Sequence, residues 1–158
     1  MFYETGSAGA LVAQLHQVIE EEGPILEAVL FRRVARAWGL ERTGSRITER
    51  LRNMVPATCV KTSEASATFY WPAGADPETW GKFRVAGQEE SSRRNVAEVS
   101  LQEIRAVVMH VLDQGGGATS SDIARSVCRL LGMARTPVDA EARVVQAMEV
   151  PDQMRLIH

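Results

Sequence analysis

The sequence predicts a mainly α protein with one small β-hairpin, and three observations lead there. Apolar residues recur at three- and four-residue spacing in several segments. Two β-prone arms flank a single short polar tip. The helical pattern of the first half also returns in the second, after an offset of 93 residues.

The chain begins with a loose lead over residues 1–8. From Gly9, the stripe Leu11, Val12, Leu15, Val18 and Ile19 makes an amphipathic helix that closes on Glu20, Glu21, Glu22 and the breaker Gly23-Pro24. Three acids at a helix C-terminus oppose its dipole, so they are expected to be solvated or paired with nearby arginines. Ile25 leaves room for a stub of strand. Residues 22–55 organise the rest. Leu26, Leu30, Val34 and Ala37 or Trp38 form the inner stripe of a second helix, widened by Val29 and Phe31. Gly39 then supplies the left-handed residue that ends it, and Leu40 folds back as the hydrophobic contact. Thr43, Gly44 and Ser45 open a third helix whose inner side is Ile47, Leu51 and Met54 or Val55. Its outer side shows Arg46, Glu49, Arg50 and Asn53.

Residues 58–62 and 67–71 are the arms of the hairpin, with 63–66 as its tip. Helix, strand stub, helix, helix, hairpin is the order of a winged helix, whose third helix commonly enters the major groove. The hairpin carries Glu64 at its tip and Lys61 as its one base, a poor grip for phosphate. Glycines, Asp76-Pro77 and the run 89–94 then mark a connector, mobile near residues 87–94, while Trp80, Phe83 and Val85 argue that its first part packs on a domain. Trp71 and Trp80 read as core residues before base-stacking ones.

In the second half, Ser100 caps a helix to about residue 113, Thr119 or Ser120 caps one over residues 121–131, and Pro137 opens a third to about residue 148. Residues 154–158 offer one strand at most. The offset of 93 superimposes Gly39 on Gly132, Leu15 on Val108, Ile19 on Leu112 and Leu51 on Val144. The fold class is therefore tandem winged-helix / helix-turn-helix units: residues 1–75 a winged-helix domain, 76–95 a connector, 96–158 a second helix-turn-helix-like unit.

Charge separates the two halves. Seven arginines between residues 32 and 52 face two acids, Glu41 and Glu49, in a chain whose net charge is −2. Such focusing marks a place where a polyanion could dock; a solvated helix face is the competing reading. Residues 116–158 hold five arginines and five acids, a balance better suited to packing against protein. No apolar run approaches the roughly 20 residues that cross a bilayer, and Cys59 and Cys128 lack the spacing of a zinc site or disulfide framework, so a reducing cytoplasm fits. Gly115, Gly116 and Gly117 before Thr119 and Ser120 lack the lysine of a P-loop, and read first as an interhelix loop. His16 and His110 have no ligand partners at metal spacing, and Ser45, Ser120 and Ser121 read as caps. No acid-base pair, metal site or cofactor site assembles, so a non-enzymatic role is expected.

The stretches EGPI (22–25), RRVARAWGLERTGSRI (32–47), FYW (69–71) and KFR (82–84) resemble a domain of unknown function, number 3320, found near the carboxyl end of large bacterial helicase-like proteins. The resemblance implies a winged-helix-like accessory module in DNA metabolism or defence, working beside helicase and nuclease domains. The ATP-binding and nuclease motifs of those partner domains are absent from this sequence. The leading expectation is a nucleic-acid-binding module, with duplex DNA as partner. Arg46, Arg50 and Asn53 would face the groove, and Arg32, Arg33, Arg36 and Arg42 would contact phosphate. The alternative is a protein-interaction or dimerisation module that uses the same arginines on an acidic partner.

Overall fold

The computed structural model describes residues 7–116 and 119–157, with the backbone alone described for 91 and 150–157. The expected lead over residues 1–8 thus falls mostly outside the described residues. The protein is mainly α, with six α-helices and one three-stranded antiparallel sheet among the described residues, and its chain divides into two compact units, Met1–Ala75 and Asp76–His158.

In the first unit, α1 (Ala8–Glu22) buries Leu11, Leu15 and Ile19. Gly23 stops it: the Gly23 amide donates to Ile19 O at 2.8 Å, and a Cβ there would stand 2.5 Å from that same oxygen and 2.7 Å from Pro72 Cδ. Only glycine fits so close an approach. The strand stub is β1 (Ile25–Leu26), followed by α2 (Glu27–Ala37), whose Leu30, Phe31, Val34 and Ala35 are buried. Gly39 takes φ +80° and donates to Arg36 O, while the Leu40 amide donates to Ala35 O. These two bonds are a Schellman stop, and Leu40 packs on the core as the apolar partner of that motif. Next, α3 (Ser45–Met54) buries Leu51 and half-buries Ile47 and Met54. Its N-cap is Gly44 with no side-chain cap, so Ser45, expected as a cap, is instead the first helical residue.

The hairpin arms are β2 (Val60–Glu64) and β3 (Ala67–Trp71), and the strand order is β1-β3-β2. Pairing runs Ile25 to Tyr70 and Leu26 to Phe69 on one side of β3, and Val60 to Trp71 through Glu64 to Ala67 on the other. The turn is tighter than the expected four-residue tip because Ala65 accepts φ +54°, which lets Glu64 pair with Ala67. Trp71 is fully buried and donates from Nε1 to Thr62 Oγ1 at 2.8 Å, a core role as expected.

In the second unit, Ser100 Oγ accepts from the Glu103 amide to cap α4 (Leu101–Asp113), and Thr119 Oγ1 accepts from the Asp122 amide to cap α5 (Ser120–Leu130). Two expectations need correcting for the last helix, α6 (Ala140–Ile157). It starts three residues after Pro137, whose carbonyl accepts from the Ala140 amide in the preceding turn. It also continues through residues 154–157 instead of leaving a strand there; no glycine follows Pro137 to end the helix, and a lone strand would have no ladder partner in this unit among the described residues.

Residues 76–95, expected as a connector mobile near 87–94, are laid against this second unit. Phe83 packs on its core, the Ala86 amide donates to Leu130 O, and the Arg94 amide to Leu131 O. Arg94 reaches Glu103 on α4 through both terminal nitrogens, at 2.9 and 2.6 Å, and also donates to Arg84 O. Glu103, 1% exposed, accepts in addition from the Arg84 amide. A buried carboxylate is tolerated only when its lone pairs are so occupied.

The repeat is physical. Ala8 and Leu101 open their helices 93 residues apart, as do Glu27 and Ser120. Gly132 takes φ +90° and donates to Arg129 O while Met133 donates to Cys128 O, reproducing the Gly39 and Leu40 stop position by position. Leu51 and Val144 are both fully buried. One correspondence fails: Ile19 is 1% exposed but Leu112 is 42% exposed, and Val111 is buried near that end of α4 instead.

Candidate nucleic-acid interface

The sorting of side chains on α3 follows from helical spacing. Leu51 is pinned to the core, which turns positions 46, 49, 50 and 53 to the opposite side. Arg46, Glu49, Arg50, Asn53 and Met54 line one open depression there. Arg46 and Asn53 are exposed and Arg50 is half-buried. Arg36 and Arg42 are exposed, on α2 and in the loop before α3, while Arg32 is half-buried. Arg33 is drawn toward the body of the unit, with Nε 2.8 Å from the Glu22 carboxylate. The acidic end of α1 thus meets a nearby arginine, and Glu20 accepts from the Ala73 amide at 3.1 Å.

Arg52, the last of the arginine run, points elsewhere. Its Nη2 lies 2.6 Å from Glu27 Oε1, and Tyr70 Oη donates to Glu27 Oε2 at 2.6 Å. Burial pushes the Glu27 carboxyl up, but the bonds from Arg52 and Tyr70 outweigh it and hold the group below its usual range. Burial, then the bond to Glu27, raises the Tyr70 phenol. This cluster links the start of α2, the end of α3 and β3. Sequence reasoning missed it because its members stand 25 and 43 residues apart.

Other candidates resolve into structure. Gly115 takes φ +76° and donates to Leu112 O, and the Gly116 amide donates to Val111 O, so these glycines finish α4; Gly117 lies outside the described residues. Ser120 Oγ donates to Glu141 at 2.5 Å, and Ser121 is exposed in the first turn of α5. His16 is exposed, and the His110 ring lies 5.2 Å from that of Phe83. Both cysteines are free thiols that burial pushes above their ordinary value, and Cys59 donates to Pro56 O. Among the described residues, no three His, Cys, Asp or Glu side chains are grouped to hold a metal ion, and no helix is long and apolar enough to cross a membrane.

Residues 1–49 match the family model described as "Protein of unknown function (DUF3320)". The match takes in α1, β1, α2 and the first half of α3, so it includes Arg32 through Arg46 but stops short of Arg50 and Asn53. No curated protein and no solved structure matches the chain.

Proposed function

We propose that the first unit is a winged helix that binds duplex DNA, as a non-catalytic accessory module of a larger DNA-processing protein that carries helicase or nuclease domains. The observation that carries this reading is the grouping of Arg46, Arg50 and Asn53 around one open face of α3. Positions 46, 50 and 53 span about 10 Å of helix, which fits a major groove about 12 Å wide. Arginine and asparagine are also the side chains that pair bidentately with guanine and adenine edges. Arg36 and Arg42, and with them Arg32, would hold phosphate on either side; Arg33, paired with Glu22, contributes least. The hairpin β2–β3 is the wing, and its Glu64 and single Lys61 leave α3 as the main contact.

Fluorescence anisotropy with a labelled duplex tests this. Wild-type affinity is expected to fall steeply between about 50 and 200 mM salt as counterions are released, and Arg46→Ala/Arg50→Ala to bind at least about tenfold more weakly at the lower salt. Absence of wild-type binding at low salt overturns the proposal.

A second reading, a protein-interaction or dimerisation module, draws on the second unit, where Met109, Leu112, Val145 and Met148 are exposed. Light scattering that returns a dimer dissociated by Met109→Glu/Leu112→Glu supports it; a monomer at every concentration excludes self-association.

A further inference from the structure

Four polar side chains line the open depression on α3, and one of them has the wrong sign for phosphate. Arg46, Glu49, Arg50 and Asn53 stand at i, i+3, i+4 and i+7 of one helix face, so Glu49 lies one turn from both Arg46 and Asn53. Other acids of this unit are tied to its own body: Glu22 to Arg33 at 2.8 Å, Glu27 to Arg52 at 2.6 Å, and Glu20 to the Ala73 amide at 3.1 Å. Glu49 is exposed. Nor does the fold require a carboxylate there, because the counterpart on α6, 93 residues on, is Ala142, which is exposed as well. A face built only to hold phosphate gains nothing from an acid at its centre, since the charges repel.

Base edges are another matter. A carboxylate only accepts hydrogen bonds, and in the major groove cytosine is the base that offers a donor, its N4 amino group, with no acceptor beside it. Guanine and thymine offer acceptors there, and adenine sets N7 next to its donor. The arginines are the complement, donors only, and match the N7 and O6 acceptors of guanine. Given α3 as the duplex-binding face, on which this inference rests, we propose that Glu49 is a specificity-determining residue that reads a cytosine in the major groove, next to guanines read by Arg46 and Arg50. Its charge also weakens the hold on duplexes of other sequence, because an unmatched carboxylate then faces base acceptors and phosphate. The preferred ligand is thus a G·C-rich site rather than any duplex.

Selection from a duplex library randomised over its central base pairs, with the full chain and two variants, tests this. The wild type is expected to enrich a site in which cytosine is favoured over every other base at one position by at least about tenfold (about 1.4 kcal/mol). Glu49→Gln is expected to move that preference to adenine, whose N6 and N7 suit an amide, and Glu49→Ala to erase it. Both variants are expected to bind an unselected duplex at least about threefold more tightly at low salt, a gain that loss of a merely structural helix residue would not give. A wild type that binds duplex but enriches no sequence overturns the proposal, as does Glu49→Ala keeping the cytosine preference; in both cases the duplex-binding reading of α3 stands. No wild-type binding at low salt overturns both.

Discussion

Gly39 and Gly132 end α2 and α5 with φ of +80° and +90°, the same two amide bonds and an apolar residue, Leu40 or Met133, folding back, yet one stands open and the other lies under a strap, residues 83–95. The contrast extends to the third helix of each unit. Arg50 lines an open depression on α3, whereas Arg143, its counterpart on α6, donates to Val96 O at 3.0 Å and to Val99 O. Arg46 is matched by Asp139 and Asn53 by Gln146. One local plan thus supports two surfaces. In the first unit α3 packs on α1 and α2, Arg52 ties it to Glu27, and its basic face lies outward. In the second, arginines are spent inward, on Glu103 and on backbone carbonyls, and hold the strap down.

The comparison breaks most severely at Glu103. Glu103→Ala leaves Arg94 and the Arg84 amide without their buried acceptor and is expected to cost about 3–5 kcal/mol, whereas Ala10→Glu at the exposed counterpart costs little. Urea denaturation, with hydrogen exchange of α4 and α5 to place the loss, checks the pair.

The two glycines sharpen it next. Gly39→Ala is expected to cost about 1 kcal/mol for the left-handed backbone alone. Gly132→Ala adds a collision with Ala86 and Arg93, and roughly 3 kcal/mol is expected. Equal losses in thermal unfolding would show that the strap does not bear on Gly132.

A smaller effect depends on pH. Since the Glu27 carboxyl is held below its ordinary 4.5, its contribution is present above that value and lost as pH falls through the lowered one. Glu27→Gln is therefore expected to be less stable than wild type near neutrality and to converge with it in acid. A constant difference between the two stability curves down to low pH would contradict the bond pattern around Glu27. The smallest effect is at the hairpin, where Ala65→Gly relieves a left-handed alanine and is expected to stabilise the first unit by about 0.5–1 kcal/mol in thermal melts.

What the sequence made legible was local. The stops at Gly39 and Gly132, the caps at Ser100 and Thr119, the strand stub at Ile25 and the inward Leu51 depend on neighbours a few residues away, so their signals lie side by side in the chain. The depression on α3 was legible for the same reason, since helical spacing alone groups Arg46, Arg50 and Asn53. What escaped was long-range. Glu27 meets Tyr70 across 43 residues, and Arg143 meets Val96 across 47. The strap carries the glycine and charge composition of a linker, yet Phe83, Arg84 and Arg94, meeting the second unit's core and Glu103, and the Ala86 amide on Leu130 O hold it in place. The extent of α6 differs from the expected end near residue 148: the helix runs to Ile157, and no glycine follows Pro137 to end it.

The central claim is that the nucleic-acid face belongs to the first unit and to α3. Amide chemical shifts of the full chain, followed by nuclear magnetic resonance as a DNA duplex is added at low salt, test it most directly. Shifts concentrated on residues 42–54 and near Arg36, with α5 and α6 unmoved, are the expected result; shifts confined to residues 76–157, or none at saturating duplex, would contradict it.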